Sequence, residues 1–143
     1  MLSSENREQL ITELTRDEGR VLKPYRCTAG KLSIGIGRNI EDRGISIKEA
    51  EFMLSNDIDD CLSEAVDIFG IKFITFSPAR QRAIINMIFN LGSHGFRGFI
   101  RTIDCIKRDD WGLAADAILR SKWATQVGQR AVRISEQFRS GKA

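Results

Sequence analysis

Cysteine is scarce in this chain of 143 residues: there are three, Cys27, Cys61 and Cys105. They are odd in number, far apart and lack a C-x-x-C pair, so neither a disulfide framework nor a zinc site is expected. A single histidine, His94, argues against a histidine-based metal centre, and no cofactor is expected. Proline is limited to Pro24 and Pro78, which leaves long helices unblocked over most of the chain. No apolar run approaches the ~18 residues of a membrane span. The start, MLSSENREQL, lacks the basic residues and apolar stretch of a secretory signal. These absences predict a soluble chain without membrane insertion that stays in the cytoplasm unless something releases it.

What is present fits an ordinary globular domain. Hydrophobic residues make up 42% and charged residues 29%, a balance that excludes a disordered chain, and the length suits one domain with a real core. A net charge of +3 and a pI near 8.9 favour encounter with anionic partners, whether wall polymers, nucleic acid or membrane surfaces, without choosing among them.

The hydrophobic periodicity changes along the chain. Residues 4–17 read as a helix, with Ser4 as N-cap, Glu5 and Glu8 in the first turn, Leu10, Ile11 and Leu14 on one face, and Gly19 as the stop. Residues 23–39 turn to alternation broken by glycines, Leu32-Ser33-Ile34-Gly35-Ile36-Gly37, which predicts a short hairpin or small sheet. Ser46 and Glu49 have capping-box spacing ahead of a helix over 46–69, ~35 Å long at ~1.5 Å per residue. Helices are predicted over 78–91, with Pro78 at its first turn and Gly92 as its end, and over 96–107, 111–121 and 129–138. Phe69, Phe73, Phe76 and Trp111 are core candidates, and His94 reads as a solvated turn residue. The fold class is therefore α+β and mainly helical: a small lobe over about 15–55, a connecting helix over about 46–69, and a helical lobe over about 70–143 that packs with the N-terminal helix, all within one domain over 1–143. A cleft between two lobes suits a polymer.

The chemistry concentrates between Asp17 and Arg38, in DEGRVLKPYRCTAGKLSIGIGR. Glu18 falls at a helix end, Cys27 follows after eight intervening residues and Ser33 after five more. Alternation places Ser33, Gly35 and Gly37 on one face of the strand. Glycoside hydrolysis needs a proton donor to the leaving oxygen and a second group that activates water or steadies positive charge. A carboxyl, a thiol and a hydroxyl near one helix end meet those needs in type, although a carboxylate at a helix end is also an ordinary solvated group.

The segment resembles the phage-type, T-even-like lysozymes of glycoside hydrolase family 24. Their pattern is Glu, eight residues, Asp or Cys, five residues, Thr. The flanking DEG, Tyr25 two positions before Cys27, and the I-G-I-G run also match. Further along, SIKEAEFMLSNDID, RQRAIINMIFNLG and SKWATQVGQRAVRI resemble family segments in the same order, so the likeness extends from about residue 7 to 140. The resemblance implies a lysozyme-like fold and a muramidase that cuts the β-1,4 bond between N-acetylmuramic acid and N-acetylglucosamine in the glycan strands of bacterial peptidoglycan, with inversion. It implies Glu18 as general acid, Cys27 in the place of the second catalytic group, Ser33 where a threonine positions water, and Arg130 as the partner of the catalytic glutamate. It also implies that Asn86 and Asn90 line the substrate cleft beside a structural Trp123. An endolysin of this kind accumulates in the host cytoplasm as a monomer, depends on a holin for access to the wall, and then acts in the periplasm.

Three departures stand out. Ser33 keeps the hydroxyl of threonine but loses the methyl that stiffens its rotamer. Cys27 replaces the more familiar aspartate, and an ordinary thiol with a pKa of ~8.5 is a poorer base at neutral pH. Arg38 stands where a histidine–aspartate pair is usual, and Asp57 is its expected partner. Alternatives at this stage are a catalytically weakened wall-binding protein on the same fold, a transglycosylase on that fold, and a basic helical DNA-binding protein; the last lacks any helix-turn-helix pattern, so no nucleic-acid partner is expected.

Overall fold

A computed structural model describes residues 1–142. The chain divides into two compact units, Met1–Glu51 and the remainder from Phe52.

The first unit opens with α1 (Ser4–Glu18). Its cap is Ser3, one residue earlier than expected: the Ser3 hydroxyl accepts the Asn6 N–H at 3.2 Å. Leu10, Ile11 and Leu14 do fall at helical spacing, yet α1 has no buried residue. The sheet that follows has three antiparallel strands in the order β1 (Val21–Arg26), β2 (Leu32–Gly35) and β3 (Arg38–Asn39). A single-turn helix, α2 (Ile40–Arg43), was too short to leave a periodic signal in the sequence; Asn39 caps it by accepting the Asp42 N–H.

The long helix α3 (Ile47–Phe69) begins at the predicted capping box. The Glu49 N–H donates to Ser46 Oγ at 3.2 Å, and the Ser46 N–H donates back to Glu49 Oε2 at 2.7 Å. The two-way arrangement satisfies donors that a helix start leaves open.

The second unit takes up the rest of α3 and adds α4 (Lys72–Thr75), α5 (Pro78–Arg97), α6 (Ile100–Lys107), α7 (Trp111–Leu119), α8 (Lys122–Val127) and α9 (Gln129–Ser140). Ser77 caps α5 and Pro78 sits in its first turn, as expected. Gly92, at φ 73° and ψ 165°, breaks α5, but helix resumes beyond it as far as Arg97. That resumption is why α6 begins only at Ile100 rather than near 96. The core holds Phe69, Phe73, Phe76, Ile84, Met87 and Trp111, with Phe138 of α9 fully buried among them. Phe76 meets Trp111 edge-on at 4.8 Å between ring centroids, a geometry aromatic quadrupoles favour. The three phenylalanines thus serve the core of this unit.

Candidate active site

Glu18 is the last residue of α1 because Gly19 leaves helical geometry, at φ 75° and ψ 171°, while its N–H still bonds to Thr15 O at 3.0 Å. The chain passes straight into β1. There Val21 lies opposite Gly35, Tyr25 opposite Ser33 and Arg26 opposite Leu32, with an irregularity between Val21 and Tyr25. Pro24, which has no N–H for a ladder, falls in that irregular stretch.

This register brings Gly37, in the turn after β2, beside the end of α1. The approach is tight: a Cβ on Gly37 would lie 2.7 Å from Glu18 Oε2 and 2.9 Å from its Cδ. Within its own unit Glu18 has no hydrogen-bond or ion-pair partner among the described residues. Glu18 and Gly37 are both open to solvent.

Cys27 follows β1 and is half-buried. Its N–H donates to Lys31 O at 2.9 Å, and the Gly30 N–H donates to Cys27 O at 2.8 Å, closing a tight turn. The thiol is held below its ordinary range. The backbone of Lys31 contributes most and that of Ala29 next, both favouring the thiolate; burial opposes them, and the Ser33 hydroxyl adds a smaller favourable effect. Ser33 itself is 2% exposed. Its hydroxyl can donate to Lys31 O at 3.2 Å or turn to the Cys27 thiolate, and its lone pairs stay open as acceptors. Sequence spacing gave no sign that Lys31 O would be the hub of this turn.

The remaining expected residues belong to the second unit and form two pairs. The Trp123 indole N–H donates to Asn90 Oδ1 at 2.7 Å from a ring that is 4% exposed. Arg130 Nε donates to Asn86 Oδ1 at 2.7 Å, and its Nη2 to Asn86 O at 3.4 Å. Asn86 and Asn90 are four residues apart on α5 and so share a face. Asn86 and Arg130 border two hollows of this unit. One, of about 540 Å³, is largely apolar, with Leu54, Ile58, Ile85 and Phe89 in its wall. The other, of about 550 Å³, also takes in Arg133, Glu136 and Gln137.

Arg38 does not take Asp57 as its partner. It grips Glu49 through both guanidinium nitrogens, at 2.7 and 2.5 Å. The capping box already fixes the Glu49 carboxylate at the start of α3, within reach of β3, whereas Asp57 lies two turns further on beside Asp60 and Glu64. The Arg38 guanidinium, followed by the Ser46 N–H, holds Glu49 down at about 2.

The phage lysozyme sequence model matches residues 15–136, a span that includes Glu18, Cys27, Ser33, Asn86, Asn90, Trp123 and Arg130. The chain belongs to the phage lysozyme family. This is a family of glycoside hydrolases that act on peptidoglycan, and the α+β fold with its small antiparallel sheet ahead of a helical unit is that of a lysozyme. Probable T4-type lysozyme 2 of Dictyostelium discoideum is 27% identical over 90% of this phage-type lysozyme chain and 92% of its own. The endolysin of Salmonella phage P22 is 27% identical over 80% of this chain and 81% of its own. The pre-baseplate central spike protein of Enterobacteria phage T4 is also 27% identical, over 85% of this chain but only 26% of that longer protein.

Proposed function

We propose that this chain is an endolysin that hydrolyses the β-1,4 bond between N-acetylmuramic acid and N-acetylglucosamine in peptidoglycan. The observation that carries the reading is the β1–β2 register. It puts Glu18 against Gly37 and Ser33 beside the Cys27 turn on one small sheet.

In this reading Glu18, exposed at a helix end, gives its proton to the glycosidic oxygen as the bond breaks. Cys27, its thiolate favoured by the backbone of the 27–31 turn, takes the proton of the attacking water. The Ser33 hydroxyl, between Lys31 O and the Cys27 thiol, orients that water. The sugar carbon gains oxygen from water, the leaving oxygen gains the Glu18 proton, and the anomeric centre inverts. Asn86, Asn90, Arg130 and Trp123 support the substrate in this reading. No cofactor takes part. The protein works as a monomer, builds up in the host cytoplasm, and reaches the wall when a holin opens the membrane.

The test is turbidity loss of purified Gram-negative sacculi by wild type and by Glu18→Gln, with mass spectrometry of the released ends. The reading expects clearing by wild type, a loss of at least ~10²-fold in Glu18→Gln, and reducing muramic ends. Products lighter by one water, with anhydro-muramic ends, would make the chain a transglycosylase. Equal clearing by the variant would remove Glu18 from the chemistry. No clearing by folded wild type would leave a wall-binding relative.

A further inference from the structure

Glu18 stands at the end of α1. Within its own unit no hydrogen bond or ion pair fixes its carboxyl. It is a flexible side chain at the last position of a helix, where the following residue has already left helical geometry. A group expected to deliver a proton along one direction needs a defined place. A displacement of ~1 Å at a reacting group costs up to ~10²-fold in rate.

The close neighbour in this unit is a residue without a side chain. Gly37 lies at φ +68°, and a Cβ there would fall 2.7 Å from Glu18 Oε2, 2.9 Å from Cδ and 3.1 Å from Cγ. All three are atoms of one side chain, and they are its distal atoms, not the backbone of α1. The carboxyl therefore rests in the space that a Cβ at this position would fill. Gly35, two residues earlier at the end of β2, also has a positive φ, at +72°, but a Cβ there would meet nothing within 4 Å. Both glycines take a positive φ, and they differ in what they face.

We infer that Gly37 is a positioning residue for Glu18: its absent side chain is the seat that sets where the carboxyl stands. The inference rests on Glu18 as the general acid for its effect on rate, but not for its geometry. Any side chain at 37 evicts the carboxyl by rotating Glu18 away, because that side chain yields more readily than the loop does.

The experiment compares Gly37→Ala with Gly35→Ala in the full chain. Both place an L side chain at positive φ, so both should lower Tm by a similar amount, about 3–6 °C. Gly37→Ala should lose ~10- to 10²-fold in kcat on soluble peptidoglycan fragments with KM unchanged. Gly35→Ala should stay within about twofold of wild type, below the scale at which misplacement acts. Independently of activity, the Glu18 ¹³Cδ resonance should move in Gly37→Ala and stay in place in Gly35→Ala. Gly37→Asn carries the same Cβ on a residue that tolerates positive φ, and it replaces Gly37→Ala if the latter fails to fold. A Glu18 resonance that stays put in the Gly37 variants, or moves equally in all, overturns the seat. So do equal kcat losses at the two positions. If wild type proves inactive, the resonance still decides the geometry, so failure of the enzymatic reading and failure of this inference are separate results.

Discussion

The three thiols occupy three different electrostatic settings. Cys27 has backbone groups of its own turn favouring the anion. Cys61, on α3, is pushed up first by burial and then by the charges of Asp57 and Asp60. Cys105 is 1% exposed, in the core. Since the thiolate is the attacking form, iodoacetamide should label Cys27 at lower pH than Cys61 and leave Cys105 untouched in the native protein. Peptide mass spectrometry across a pH series reads the order, and Cys61 reacting first would contradict the account of the 27–31 turn. If Cys27 is the base, labelling it should also abolish clearing of sacculi. At this scale the sequence pointed to a segment: the spacing of Glu18, Cys27 and Ser33 and the I-G-I-G run marked what folds as the end of α1 and the small sheet. It was silent on the use each atom is put to. The engagement of the Ser33 hydroxyl with Lys31 O and the seat at Gly37 depend on how a bulged strand pair is registered, and residue spacing does not encode that.

Among the elements, the start of α3 carries the clearest electrostatic signature. Arg38 of β3 and the capping box converge on one carboxylate, which they hold at about 2. A folded-state value below the ordinary ~4.3 of an unfolded glutamate means that the contribution to stability is complete above that value. It is lost as pH falls from there through about 2. Melting curves of wild type and Glu49→Gln should therefore differ most above pH ~5 and converge toward pH ~2. A difference that persists unchanged at the acid end would mean that Glu49 acts through shape alone. The capping box was legible from Ser46 and Glu49, but the partner of Arg38 was not. Asp57 was the partner the family resemblance suggested, whereas the choice of Glu49 follows from where the box fixes its carboxylate. The helices with strong periodicity were found close to their ends. Those that depend on a single backbone angle were not: the break at Gly92 looked like a terminus because a glycine after a helical run is the usual stop signal, and the resumed turns to Arg97 shifted the next boundary.

Across the whole molecule the burial is lopsided. Every buried apolar side chain of the described residues lies between Ala65 and Phe138, and the one buried side chain before them is Ser33. The fold class was legible because amphipathic periodicity marks the helices that build that core. Met1–Glu51 builds no such core, and strand pairing, caps and exposed ion pairs such as Lys31 with Glu41 and Asp42 do the holding there. Exposed pairs contribute only ~0–1 kcal/mol each, and segments with little buried apolar surface open locally well before the whole chain unfolds. Both tryptophans, Trp111 and Trp123, report from the buried side of this division. In a thermal or denaturant titration, loss of lytic activity should therefore run ahead of the tryptophan fluorescence transition, and coincident curves would show a single cooperative unit. The protein would then have a range of mild conditions in which it is spectroscopically folded and yet silent as a lysin, with activity returning as soon as the denaturant is diluted.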